Sequence, residues 1–240
     1  MNDLEAFFYQ HEGRLIHKWH HYFEIYDRHF SKFRGKPISV LEFGVSQGGS
    51  LEMWKQYFGP QAVISGVDIN PNCKQLEEPG IQIFIGDQQD REFLRAVAKK
   101  VPSIDVLIDD GGHTMEQQIA TYEELFPLVA SNGVYLVEDL HTSYWKKWGG
   151  GYRKNRTFVE YSKHFIDQIN AWHSHEPDKL QVSEFTRSVQ SLHYYDSVLV
   201  IEKRPMLEPT HERKGKSLIP EYSPPSPSLI EKVRRKLKRP

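Results

Sequence analysis

The sequence predicts an α/β fold: a Rossmann-like, doubly wound sheet of seven strands preceded by an N-terminal helical segment. Three observations carry that expectation. From residue 38 onward short apolar runs alternate with amphipathic stretches, the rhythm of parallel strands joined by helices. The first of these runs opens directly into a glycine-rich turn. Two late runs, separated only by Tyr195-Asp196, read as a hairpin that closes the far edge of the sheet.

Taken in order, residues 4–33 place Leu15, Trp19, Tyr22, Phe23, Tyr26 and Phe30 at helical spacing, so an amphipathic helix is expected there. Residues 38–43 read as a buried strand and 50–58 as the helix after the glycine turn. Strands follow over 63–69 and 81–85, with a short helix between them. Residues 91–99 read as a helix, and 105–108 as a strand running into Asp109-Asp110-Gly111-Gly112-His113. The helical pattern over 114–130 is strong: Met115, Ile119, Tyr122, Phe126 and Val129 step by four and three, and Ser131-Asn132-Gly133 supplies a left-handed stop. A fifth strand covers 134–137. After Gly149-Gly150-Gly151 come a helix over about 157–172 and the hairpin runs 188–194 and 197–202. The expected division is a helical cover (1–34), the doubly wound domain (35–205), and a Pro-rich linker with a basic tail (206–240).

With 240 residues, 38% hydrophobic and 26% charged, the composition is that of a soluble globular chain. No apolar run approaches the roughly 18 residues that cross a bilayer. The N-terminus has no basic n-region or small-residue cleavage site, so a cytoplasmic location is expected. Cys73 is the sole cysteine, which excludes an internal disulfide or a Cys-x-x-Cys zinc site. The net charge of −1 hides a split: Leu229–Pro240 carries +5, and residues 1–228 carry −6. An acidic body is a poor polyanion binder, so no nucleic-acid partner is expected. The basic end reads as a solvated tail, with contact to an anionic surface as the alternative.

In open parallel sheets ligands bind beyond the carboxyl ends of the strands. After the first strand the chain reads Glu42-Phe-Gly44-Val-Ser46-Gln-Gly48-Gly49-Ser50. A dinucleotide fingerprint needs glycine at position 46, and a Walker loop needs lysine at position 50; serine occupies both. The Glu-x-Gly-x-x-x-Gly spacing suits S-adenosylmethionine, with Glu42, Gly44, Ser46, Gly48 and Ser50 as candidate contacts. Asp68, 24 residues beyond Gly44, is placed to accept both ribose hydroxyls, or else to cap the following turn. Asp87 and Gln88 end the third strand, placed to meet an adenine edge or to form a simple turn. Asp109, Asp110 and His113 after the fourth strand, with Glu138, Asp139 and His141 after the fifth, put four carboxylates in one crevice. Crowded like charges call for a compensating cation, and oxygen donors suit Mg²⁺ or Mn²⁺. Helix capping by Asp110 and Asp139 is the alternative.

These motifs resemble a known family. Tyr22-Phe-Glu-Ile-Tyr26, Leu41-Glu-Phe-Gly-Val45, Gly48-Gly-Ser-Leu-Glu-Met-Trp54, Gly86-Asp-Gln-Gln-Asp90, Ile108-Asp-Asp-Gly-Gly-His113, and Val137-Glu-Asp139 followed by Thr142-Ser-Tyr-Trp145 are similar to class I S-adenosylmethionine-dependent sugar O-methyltransferases. That family includes the macrocin and mycinamicin enzymes, with cephalosporin-hydroxylase-like relatives. The resemblance runs from about residue 17 to 150 and fades in the C-terminal third.

It implies a magnesium ion on Asp110, Glu138 and Asp139, and His113 as general base, with His141 ranked second. It further implies donor contacts at Asp68, Gln88 and Asp109, with Tyr22 and Tyr26 as a cover over the donor. Tyr144, Trp145 and Trp148 are expected to form an aromatic lid over the acceptor, or a flap packed on the body. The implied activity is Mg²⁺-dependent methylation of a sugar hydroxyl in natural-product or polysaccharide biosynthesis, by a self-associating enzyme. A catechol-like or other vicinal diol acceptor, and a non-catalytic donor-binding scaffold, are the alternatives. Gly112 departs from the Ser common before the His, which is expected to loosen that turn. The large N-terminal domain of some members has no counterpart in this sequence, so substrate and assembly contacts are expected to differ. His17, His20 and His21 share a helical face that suits zinc, but a solvated or packed face is the more ordinary reading.

Overall fold

A computed structural model describes residues 1–224 of the chain. Strand β1 (Ser39–Phe43) is buried at every position, as expected of a strand covered on both faces. Beside it lie β2 (Val63–Asp68), β3 (Ile81–Ile85), β4 (Val106–Asp109), β5 (Val134–Val137), β6 (Val189–Tyr195) and β7 (Val198–Lys203), in the order β3-β2-β1-β4-β5-β7-β6. The first five are parallel; β7 pairs antiparallel with both β5 and β6. The Rossmann-like, seven-stranded expectation therefore holds, including the hairpin at the far edge.

Alternate residues of each strand serve opposite faces. Val40, Ile64, Ile108, Leu136 and Val200 point into one core with α1 (Asp3–Gln10), α2 (Tyr22–Phe30) and α3 (Gly49–Phe58), centred on the fully buried Trp54. Leu41, Phe43, Val67, Leu107, Tyr135 and Leu199 point into the other, with α4 (Arg91–Ala98), α5 (Met115–Leu125), α6 (Phe158–Ser162), α7 (His164–Ile169) and α8 (Glu184–Ser188). The register aligns Phe43 with Val67 and Asp109, and Asp109 with Val137. Gly44, Asp68, Asp110 and Glu138 consequently emerge side by side from four neighbouring strand ends.

Three expectations change. The single helix over 4–33 is two helices, α1 and α2, joined by a strap over residues 11–21 in which Leu15 and Trp19 are exposed. Tertiary anchors override helical spacing there: Arg14 Nε lies 3.1 Å from Glu52 Oε1, and its guanidinium donates to the Leu76 carbonyl at 3.1 Å and to Glu78 at 3.1 Å. The helix over 114–130 ends at Leu125 in a 3-10 turn containing Pro127, because proline lacks the N–H needed to continue. The stretch over 157–172 is broken into α6, α7 and a 3-10 turn at Ala171–His173, and α8 had no expected counterpart.

No helix among the described residues is long and apolar enough to cross a membrane. The unit Met1–Glu208 holds all the elements above, and a second unit begins at Pro209. Over residues 209–224 the second unit has no helix or strand and its residues are exposed. The basic end Leu229–Pro240, and residues 225–228 of the Pro-rich stretch Ser223–Ser228, lie outside the described residues.

Candidate active site

The loop after β1 turns on two glycines with positive φ, Gly44 and Gly48. Gly44 has φ +92° and a Cβ there would lie 2.0 Å from the Asp110 carbonyl oxygen, so the loops after β1 and β4 touch backbone to backbone. Gly48, with φ +80°, turns the chain into α3. Asp68 is fixed by two backbone donors: its Oδ2 accepts from Ser46 N at 2.9 Å and its Oδ1 from Asn70 N at 2.8 Å. Two cavities, of about 130 Å³ and about 290 Å³, meet here and share Gly44, Asp68 and Gly111 in their walls. The smaller also touches Gly86 and Gln88; the larger runs under the strap past Ser46, Ser50, Trp19 and Tyr22 to Asp110, His113, Glu138 and Asp139.

The acids converge on His113. Its Nε2 lies 3.8 Å from Asp110 Oδ1 and 3.6 Å from Asp139 Oδ2. Among the described residues, neither of those oxygens receives a hydrogen bond. Their partner oxygens are held: Asp139 Oδ1 accepts from the Tyr22 hydroxyl at 2.8 Å, and Asp110 Oδ2 accepts from Lys18 Nζ. A ligand atom from each of Asp110, His113 and Asp139 lies within 4.8 Å of the others. Glu138 faces elsewhere, accepting from the Tyr26 hydroxyl at 2.7 Å and from Lys18 Nζ at 3.0 and 3.1 Å.

Lys18 is the residue that sequence reasoning missed. The strap delivers its ammonium, 3% exposed, into contact with Asp110 and Glu138 and to 3.9 Å from Glu42. Burial alone lowers a lysine's pKa, but three carboxylates outweigh it and hold this one above its ordinary value, so Lys18 is charged. Burial raises Glu138 and pushes Glu42 up to about 7, with Asp110 adding to both. Glu42 Oε2 accepts from Ser50 Oγ at 2.9 Å, while its Oε1 is buried with no hydrogen bond. One ammonium against three carboxylates, of which Glu42 and Glu138 are buried, leaves negative charge that favours a further cation or proton. Lysine 18 carries no sequence signal for this role, because Asp110 and Glu138 lie 92 and 120 residues away.

Backbone strain gathers at the same place. Ser46, His113 and Asp139 have φ of 49°, 55° and 55°, a region that costs non-glycine residues energy and recurs at functional sites. Below the pocket, Gln88 locks the loop after β4: its Nε2 donates to Asp109 at 2.7 Å and Thr121 at 2.8 Å, and its Oε1 accepts from Gly112 N at 3.0 Å. Burial pushes Asp109 up to about 6, with the Gln88 hydrogen bond opposing. A Cβ at Gly112 would meet the Gln117 amide at 2.1 Å. That amide accepts from Thr114 N at 3.1 Å, so this turn is filled rather than loosened.

No family model matches the chain. It is 36% identical over 199 residues to the 8-demethyl-8-alpha-L-rhamnosyl tetracenomycin-C 2'-O-methyltransferase of Streptomyces olivaceus, covering 78% of this chain and 52% of that protein. It is 35% identical over 188 residues to the mycinamicin VI 2''-O-methyltransferase of Micromonospora griseorubida, covering 74% of this chain and 47% of the relative. MycE methyltransferase in complex with Mg, SAH and mycinamycin VI superposes with a TM-score of 0.76 at 30% identity, over 98% of this chain and 59% of MycE. The chain belongs to the class I family of these sugar O-methyltransferases. It spans about half the length of the curated relatives it matches.

Set beside that family, the expected residues divide. Tyr22, Gly44, Ser46, Ser50, Asp68 and Gln88 line the cavities, as do Asp110, His113, Glu138 and Asp139. Tyr26, Glu42, Gly48, Asp87 and Asp109 do not: Tyr26 supports Glu138, Asp87 accepts from Gln89 N within its own turn at 2.8 Å, and Asp109 is fully buried. His141 also lies outside the walls, its Nδ1 bonded to Ser197 Oγ. Trp148 stands 6.0 Å from the His113 ring, and the half-exposed Trp145 4.5 Å from His141. His141 in turn lies 5.9 Å from Trp19. Trp145 and Trp148 stand outside the cavity walls, with Trp19 of the strap the one ring of this group inside them; Tyr144 is half-exposed.

Proposed function

We propose that this chain transfers the methyl group of S-adenosylmethionine to a hydroxyl oxygen of a glycoside, in a Mg²⁺-dependent reaction of natural-product assembly such as antibiotic biosynthesis. One observation carries the reading. Asp110 Oδ1 and Asp139 Oδ2, both without a hydrogen bond among the described residues, converge on His113 Nε2 in a cavity that adjoins the Asp68 pocket. The relatives named above methylate sugar hydroxyls, and MycE holds Mg, SAH and a glycoside together, which supports carrying the same partners to this chain.

The donor set fits the ion. Unpaired carboxylate oxygens suit a hard divalent cation, and Asp110 and Asp139 are the residues to hold it, with Glu138 completing the acidic wall. When bound, S-adenosylmethionine supplies an electrophilic methyl group, and Mg²⁺ makes the acceptor hydroxyl more acidic. The chain's own residues do the rest. Asp68 receives the ribose hydroxyls, and the Gly44 loop lets the backbone approach the donor. The strap over residues 11–21 closes the cavity from above. His113 Nε2 takes the acceptor proton as the new C–O bond forms and the S–C bond breaks. Trp19 stacks on the sugar and excludes water. The proposal includes a cytoplasmic location and self-association, the latter read by light scattering.

The deciding experiment follows consumption of S-adenosylmethionine against a panel of rhamnosyl glycosides and catechols, after EDTA and after Mg²⁺ is restored. Methylation of glycosides that EDTA abolishes and Mg²⁺ restores is the expected result. EDTA-insensitive turnover, or turnover of catechols alone, overturns the reading.

A further inference from the structure

Helix α2 makes a second polar contact far along its length from the acids. His29 is 2% exposed, and its Nδ1 lies 2.5 Å from Glu202 Oε1 on β7. His193, on β6, packs its ring 4.6 Å from the His29 ring. We infer that His29, His193 and Glu202 form a transition-metal site, Zn²⁺ being the ion they suit best, that clips α2 to the β6–β7 hairpin.

One ligand atom from each residue lies within 4.8 Å of the other two. Tetrahedral Zn²⁺ with bonds of about 2.0–2.1 Å sets its ligands roughly 3.3 Å apart, so small side-chain rotations complete the geometry. Two imidazoles and one carboxylate, with a fourth position open, are a donor set Zn²⁺ takes and Mg²⁺ does not.

The surroundings are those of ligands rather than of a plain hydrogen-bonded histidine. Ligating imidazoles and carboxylates have their second polar atom held by an outer partner, and all three do here. His29 Nε2 meets the Tyr195 hydroxyl at 2.9 Å. His193 Nε2 meets Ser191 Oγ at 2.9 Å, and Glu202 Oε2 accepts from Lys32 Nζ at 3.1 Å. Burial, reinforced by His29, lowers the His193 pKa, which keeps that ring in the neutral form that binds metals.

The site has a structural consequence. His29 stands seven residues after Tyr22, about 10 Å along the helix, and Tyr22 holds Asp139. An ion at the hairpin end therefore fixes the helix that positions the acids.

Zn²⁺ and Co²⁺ are titrated into metal-stripped wild type, His193→Ala, His193→Gln and Asp110→Asn, with Mg²⁺ in excess. Wild type and Asp110→Asn should each bind one Zn²⁺ and give the intense visible bands of tetrahedral Co²⁺. Both His193 variants should bind that equivalent at least about tenfold more weakly, with far-UV circular dichroism and, before Zn²⁺ is added, Mg²⁺-dependent methylation matching metal-stripped wild type. Zn²⁺ should raise the melting temperature of wild type and not of His193→Gln. Absence of Zn²⁺ uptake by wild type, or equal uptake by the His193 variants, overturns the inference.

Discussion

At the centre of the site a single ammonium faces Asp110, Glu138 and Glu42. Removing one partner from such a buried set strands the others as uncompensated charge, which costs about 3–5 kcal/mol. Lys18→Met should therefore lower the unfolding free energy extrapolated from a urea melt by that amount, and adding Glu138→Gln should recover part of it. Tyr22 acts differently, through its hydrogen bond to Asp139. Tyr22→Phe should keep the fold but weaken Mg²⁺ binding by about 10–100-fold, as loss of an outer-shell partner does; calorimetric titration reads it. His113→Ala should lower kcat by about 10²–10⁴ while the Mg²⁺ titration is retained. Asp110 and His113 were legible as a spaced motif at a strand end, because the sheet alone positions them. Lys18 was not, because its contact depends on how a distant strap is folded back.

Among the elements, the strap shows most plainly where local patterning stops deciding structure. Leu15, Trp19 and Tyr22 continue a helical spacing, yet Arg14 ties the backbone to Glu52, Leu76 and Glu78, and the chain runs over α3 instead. The close approach is at Gly49, where a Cβ would stand 2.3 Å from the Arg14 carbonyl oxygen and 2.5 Å from that of Leu15. Gly49→Ala should push the strap off α3. Cleavage by protease within residues 11–21 should quicken, and donor affinity should fall more than acceptor affinity. The five parallel strands, by contrast, were readable to within a residue or so, since continuous apolar runs bounded by glycine and aspartate have few other ways to be buried. The breaks at Pro127 and inside 157–172 were not, because helical spacing there persists across a change of packing partner.

Over the whole molecule, folding forces Glu42 into an interior that prefers it uncharged, and the sign of the pH response follows. Its pKa rises from 4.5 to about 7 on folding. The stability it lends is therefore complete below pH 4.5 and lost as pH climbs through 7, up to about 3 kcal/mol. Melts of metal-free protein should show stability declining over that window, and Glu42→Gln, which still accepts from Ser50, should flatten the decline. The left-handed backbone at Ser46, His113 and Asp139 limits how this protein can be hardened against heat. Glycine at any of the three relieves on the order of 1 kcal/mol, but only Ser46 is free of proton or cation chemistry. A selection for thermal tolerance should thus accept glycine or asparagine at 46 in active clones, and at 113 and 139 should yield sturdier proteins that no longer turn over.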